Sequence, residues 1–293
     1  MLFCLALGYV FRKGRLFPEN SATILNQFVI YVSLPALILW KIPMLEVSSE
    51  LFLPVLLPWL LIGVVSGVLW VSARKLKWSP AVFGCLLLLV SLGNTSFFGY
   101  PMVLAYFGEP GLPIAILYDQ LGSFIALVTF GSFVLCRYDA NAPNFNWKTL
   151  LKRMMSFPPF LAAIVGVTVG KLGYPKPILE GLQAMAQTLI PLVMIAIGLQ
   201  LSFSVSPRLR GPLVIGLGLK LILVPFGALT IFKALGWSGL VMEVSLFEAG
   251  MPPMVTAGAL AIQADLEPEL AAGLVGFGLL ISCITLPILF RLF

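Results

Sequence analysis

The sequence predicts an all-α membrane protein of about ten transmembrane helices, in two inverted five-helix repeats with broken crossover helices at positions four and nine. Three observations carry this. The 293 residues are 60% hydrophobic and only 10% charged, against roughly 25% charged in a soluble domain, and the mean hydropathy is +1.04. The apolar residues fall in runs suited to crossing a bilayer. Two of those runs are interrupted by glycine and proline at comparable places in the two halves.

A helix rising 1.5 Å per residue needs about 20 apolar residues to span. The runs are Met1–Phe11, Thr23–Trp40, Leu51–Val71, Ala81–Phe107, Ile114–Cys136, Pro158–Gly173, Leu182–Phe203, Leu213–Phe232, Leu240–Ala261 and Leu270–Phe290. Met1–Phe11 is too short to cross alone: the chain is expected to begin partway through its first helix, or its true start lies upstream. Pro158–Gly173 is also short and borrows from Met154-Met155-Ser156-Phe157. The 27 glycines and 22 prolines fall inside apolar runs, which predicts kinked or broken helices rather than disorder. The N-terminus shows neither a charged n-region nor a small-residue cleavage site, so no cleavable signal is read.

Basic residues give the orientation. One face collects Arg12, Lys13, Arg15, Arg74, Lys75, Lys77, Arg137, Lys148, Lys152, Arg153, Arg208 and Arg210; the other has Lys41, Lys171, Lys176, Lys233 and Arg291. The richer face is expected to be cytoplasmic, which puts both termini outside, as an even number of spans requires. These basic residues sit in short loops between helices, so the net charge of +6 marks membrane topology and not a nucleic-acid surface.

The halves echo each other. Leu34-Pro35 matches Ile190-Pro191, and the spans Ile114–Cys136 and Leu270–Phe290 begin at the same offset of 156 residues. Pro101 matches Pro253 at an offset of 152. Each half holds an odd number of spans, so the second half inserts upside down relative to the first. The expected organisation is a first repeat over 1–136, a polar cytoplasmic link over 137–153 and a second repeat over 154–293.

Chemistry has few carriers here. Cys4, Cys85, Cys136 and Cys283 are far apart with no CxxC spacing, and read as ordinary small apolar residues. Histidine, the commonest general base and metal ligand, is absent. No metal and no cofactor are expected.

The two breaks hold the candidate site. The first runs Gly93-Asn94-Thr95-Ser96-Phe97-Phe98-Gly99-Tyr100-Pro101 and the second Glu248-Ala249-Gly250-Met251-Pro252-Pro253-Met254-Val255. Hydrocarbon offers no water to freed backbone groups, so a break persists only where protein buries it or a wet cavity meets it. Matching breaks point to a transport site at the bilayer midplane. Asn94 and Thr95 place an amide and a hydroxyl at that depth, and Gly93 and Gly99 permit close approach. Backbone N–H groups opening the half-helix beyond the break suit a carboxylate. The alternative for Asn94 is a packing hydrogen bond across helices. Glu248 is a candidate proton carrier or cation ligand, or else a protonated structural acid. Glu243 falls nearer the outer end of its span. Asp119 either faces the first break or marks a wet vestibule. Lys220 either snorkels to the cytoplasmic interface or is a counter-charge for Glu248 or an anionic substrate.

The run Asn94 to Pro101, followed by Phe107-Gly108-Glu109, resembles the fourth-span signature of the auxin efflux carrier family. Leu34-Pro35-Ala36-Leu37, the Tyr118-Asp119 pair and the Met251-Pro252 turn fit the same pattern, which covers nearly the whole chain. The resemblance implies crossed, unwound helices four and nine, with crossover points at Pro101 and at Pro252 or Pro253 and with Asn94 beside the substrate. It also implies secondary transport of small organic anions, either auxin or dicarboxylates such as malate or malonate. A homodimer is implied by the resemblance alone. The shortened first span and the short central link depart from the plasma-membrane plant carriers. The pattern sits closer to the bacterial branch, for which the inner membrane is the expected location.

Other readings compete. A cation-coupled symporter of the bile acid transporter type has a similar helical plan, and Glu248 serves either scheme; proton or sodium coupling is left open. A channel lacks a ring of charges or a filter repeat. An intramembrane enzyme could use Glu248 and Asp119 as a carboxylate pair, but no GxGD-type or GxSxG motif accompanies them. A non-transporting sensor lacks an attached signalling domain.

Overall fold

The computed structural model describes residues 2–18, 20–46, 48–139, 146–201 and 203–293. Residues 140–145 of the predicted link, Met1 of the first predicted span and Ser202 of the seventh therefore lie outside the described residues. Those described build helices and no named strand: α1 Leu2–Lys13, α2 Ser21–Met44, α3 Ser49–Leu76, α4 Pro80–Ser91, α5 Tyr100–Phe107, α6 Glu109–Tyr138, α7 Trp147–Met155, α8 Pro158–Thr168, α9 Lys176–Gln200, α10 Pro207–Ala234, α11 Leu240–Ala249, α12 Val255–Gln263 and α13 Pro268–Arg291.

Among them α2, α3, α6, α9, α10 and α13 are long and apolar enough to cross a membrane. A seventh crossing results if α7 and α8, bent by 65° at Ser156-Phe157, count as one. The bend falls where α8 opens on Pro158-Pro159, which cannot continue a preceding helix. The other predicted spans correspond to α1, with 12 residues, and to the interrupted pairs α4/α5 and α11/α12. Length alone therefore gives six or seven crossings rather than ten.

Short as it is, α1 is firmly seated. A Cβ on Gly8 would strike the backbone of Ile195 and Gly198 in α9, and one on Gly198 would strike Leu5 and Gly8. Two helices can approach this closely only where both present glycine, the usual way apolar helices associate in lipid.

Two large cores divide the molecule. One gathers side chains such as Leu34, Ile38, Tyr100, Val193 and Phe247 from α2, α5, α9 and α11. The second gathers Leu69, Leu86, Leu213 and Leu274 from α3, α4, α10 and α13. The interrupted pair α4/α5 starts in the second core and ends in the first. The pair α11/α12 runs the other way, from Phe247 in the first core to Ala261 in the second. Their breaks fall between the cores.

Candidate functional site

The two breaks meet each other. Gly93 and Pro253 form an isolated antiparallel bridge. Asn94 N–H donates to the Pro252 carbonyl at 2.8 Å, and Met254 N–H donates to the Leu92 carbonyl at 3.0 Å. Each break thus satisfies backbone groups that the other's lost helical ladder leaves open, without water. This bears on one expectation. The N–H groups of Asn94 and Met254 are engaged across the bridge, and that of Gly99 is engaged by the Asn94 carbonyl at 2.9 Å. These three are therefore not free donors for an anion.

Proline shapes the turns beside the crossing. Widened π-type turns at Val29–Ser33, Thr95–Gly99 and Leu219–Leu223 each end two residues before a proline, namely Pro35, Pro101 and Pro225. Proline has no N–H to return to the carbonyl four residues earlier, and its ring crowds that carbonyl, so the preceding turn opens. A fourth such turn, Tyr118–Phe124 in α6, has no proline to explain it. Three of these turns carry the site's polar groups: Thr95, Asp119 with Gln120, and Lys220.

Asp119 is the hub. Its carboxylate accepts from Thr95 Oγ1 at 2.5 Å, from the Tyr100 hydroxyl at 3.0 Å and from Gln120 Nε2 at 2.7 Å. It therefore faces the first break, as one of the two sequence readings had it. Beside it a cavity of about 90 Å³ is lined by Asn94, Ser96, Asp119, Gln120, Thr256 and the stacked rings of Phe124 and Phe157. Asn94 Nδ2 and Gln120 Oε1 are buried and have no partner among the described residues. One unused donor and one unused acceptor thus belong to residues lining the same cavity, a pattern that suits a polar solute.

Glu248 and Lys220 form a second cluster. Glu248 is fully buried, with neither carboxylate oxygen hydrogen-bonded. Lys220 is buried too, at 5% exposure, so it does not snorkel; the counter-charge reading fits its place. Both line a cavity of about 10 Å³ with Thr95, Ser91, Ser123 and Tyr118, room for one water-sized species. Thr95 thus touches both clusters.

The remaining predicted site residues fall around this centre. Pro252 and Pro253 are in the bridge itself. Met251 is buried in the second break, its N–H on the Glu248 carbonyl. Gly99 packs against the Glu248 carboxylate. Pro101 lies outside the bridge, in the first turn of α5, and lines a different cavity with Tyr100 and Lys41. Sequence reasoning gave Tyr100 and Gln120 no role of their own and counted Lys41 only among the charges that set the orientation. The first two adjoin quoted residues and are polar in an apolar run, which is the signal that could have found them. Among the described residues no group of three or more His, Cys, Asp or Glu could hold a metal ion.

A buried polar crossing between two interrupted helices is the architecture of a membrane carrier, and similarity to other proteins decides the matter. Residues 1–290 match the family described as membrane transport protein. This chain belongs to that family. The family is of the auxin efflux carrier type, so the resemblance first read at Asn94–Pro101 extends over the whole chain. An uncharacterized transporter of Methanothermobacter thermautotrophicus is 29% identical over 295 residues, covering 98% of this chain and 94% of that protein. One from Methanocaldococcus jannaschii is 31% identical over 288 residues, covering 93% and 90%. The chain is an integral membrane protein of a transporter family.

Proposed function

We propose that this protein is a secondary carrier of small organic anions, mono- or dicarboxylates, working by alternating access without chemical change to the solute. The halves 1–136 and 154–293 act as inverted repeats, both termini lie outside, and the location is the plasma membrane. The observation that supports the reading is the Gly93–Pro253 bridge, with two cavities joined through one hydrogen bond. Tyr100 lines a cavity of about 230 Å³, while its hydroxyl holds Asp119, which lines the cavity of about 90 Å³ around Asn94. A solute at the crossing needs only the movement of this link to change sides. Asn94 Nδ2 is the proposed donor to the anion, and Lys220 offsets its charge.

A cation-coupled symport is the second reading, favoured by Glu248. A carboxylate with two unpartnered oxygens at bilayer depth is tolerated when neutral, paired or facing a bound ion. Proton or sodium entry at Glu248 would couple to solute movement through Thr95.

The test is thermal stabilisation of purified protein by a panel of organic acids, in wild type and Asn94→Ala, followed by uptake into proteoliposomes. A ligand at 100 times its Kd stabilises by about 2.7 kcal/mol. Malonate or malate should stabilise wild type clearly more than Asn94→Ala. Stabilisation by sodium or neutral solutes with no response to acids would replace the anion reading with the symport.

A further inference from the structure

Beyond the crossing, the structure holds a second basic group that the carrier reading has not used. Lys41 lies in the last part of α2 and is only 1% exposed. Its ammonium sits 2.8 Å from Glu109 Oε2, and the glutamate is 66% exposed. It also lies 3.5 Å from the centre of the Trp40 ring, an attractive placement for a cation. The pair is lopsided. The carboxylate belongs to the first residue of α6 and can turn out to water; the ammonium cannot.

We propose that Lys41 is the carboxylate-binding residue of a second anion site, in a cavity distinct from the Asn94 cavity, with Glu109 as its displaceable counter-ion. The proposal rests on the anion-carrier reading and deepens it. The cavity that Lys41 lines, about 230 Å³, is a little below the roughly 300 Å³ at which pockets for drug-sized ligands begin, which fits a small acid. Its lining is rich in donors. Lys41 carries three N–H groups, Gln187 adds an amide, and the indole N–H of Trp40 is buried with no partner among the described residues. Glu109 is the only acid among the lining residues. A carboxylate replacing Glu109 would meet a desolvated ammonium and could take up the unused indole donor. A neutral solute would leave a buried charge without its partner, which is strongly unfavourable.

The location gives the site its role. Tyr100 lines this cavity, and its hydroxyl donates to Asp119 at the edge of the Asn94 cavity. In the carrier reading, an anion moving from one cavity to the other passes the Tyr100–Asp119 link. Lys41 is thus a waiting station on the path and not a separate allosteric pocket.

The alternative is a latch, an ion pair that merely ties α2 to the start of α6, and the two differ in sign. The experiment measures malonate binding to the purified full chain, with uncharged malonamide as control, in wild type, Lys41→Met, Glu109→Gln and the double variant. Removing Glu109 removes a competitor, so malonate should bind Glu109→Gln more tightly and stabilise it more than wild type. Lys41→Met should lose affinity at least tenfold, and the double variant should match it. The double variant buries no lone charge, so it reports even where Glu109→Gln alone folds poorly. Equal loss in both single variants, or malonate affinity unchanged in Lys41→Met and the double variant, overturns the site while leaving the carrier reading intact. Failure of malonate to bind wild type at all overturns both.

Discussion

The Cβ that Gly99 lacks would lie 2.5 Å from Oε2 of Glu248 and 2.7 Å from Oε1. Glycine here leaves space for the acid on the opposite broken helix, since any other residue would press into its buried carboxylate and make it shift. Gly99→Ala should therefore destabilise the protein by about 1–3 kcal/mol, the usual cost of overpacking. Adding Glu248→Ala should recover most of that loss. Thermal unfolding in detergent of the two single variants and the double measures the coupling. Additive effects would mean that the two residues do not constrain one another.

Lys220 and Glu248 share a water-sized cavity between α10 and α11. No hydrogen bond joins them, so each feels the other's charge only across the cavity, and removing one costs less than the ~3–5 kcal/mol of breaking a buried contact pair. Lys220→Met and Glu248→Gln should each lower stability or force a change in protonation, and Lys220→Met/Glu248→Gln should be more stable than the sum of the two predicts. Had Lys220 snorkelled to the interface, Lys220→Met would be nearly silent. If Glu248 carries the coupling proton, Glu248→Gln should also flatten the dependence of uptake on an imposed pH gradient; an unchanged dependence assigns coupling elsewhere.

How far the sequence foretold this can be judged residue by residue. Uninterrupted apolar runs foretold α2, α3, α6, α9, α10 and α13, because in hydrocarbon a long apolar run has no option but helix. Gly93 and Pro252-Pro253 foretold two breaks for the same reason. That Gly93 would pair with Pro253, and so remove the Asn94 and Met254 N–H groups from use, was not legible. A contact between residues 160 positions apart leaves no local pattern. Lys220 was ambiguous because its position allowed either snorkelling or burial; the opened turn before Pro225 and the packing of α10 decide for burial. Lys41 was read as a loop charge, since one residue beyond Trp40 looks like the end of a span. Only the fold reveals that it turns inward to a cavity.

Pro101 acts on the site through the turn before it. Pro101→Ala supplies the missing N–H and relieves the clash with the Phe97 carbonyl, a local gain of up to about 3 kcal/mol. The same change should let Thr95–Gly99 tighten toward an ordinary helical turn and carry Thr95 away from Asp119. The expected outcome is a protein as stable as wild type or more so, with clearly slower uptake. A parallel loss of stability and uptake would instead mean that Pro101 serves packing alone.

Thr95 and Tyr100 both donate to Asp119, yet their removal should have different consequences. Each hydrogen bond to a charged group contributes about 1.5–3 kcal/mol, so Thr95→Val and Tyr100→Phe should lower stability by similar amounts. Thr95 sits at the bridge, beside the Glu248 and Lys220 cavity, and its loss should weaken solute binding and coupling. Tyr100 lines the Lys41 cavity and is tethered to Asp119 of the Asn94 cavity; its ring survives in Tyr100→Phe while the tether does not. A ring held by packing alone should swing more freely. Tyr100→Phe should therefore keep solute affinity but raise downhill exchange relative to uptake driven by a gradient. Counterflow and gradient-driven uptake in the same proteoliposomes separate these cases. An equal fall in both for both variants would reduce Tyr100 to a structural donor and remove the argument that its link to Asp119 lies on the path.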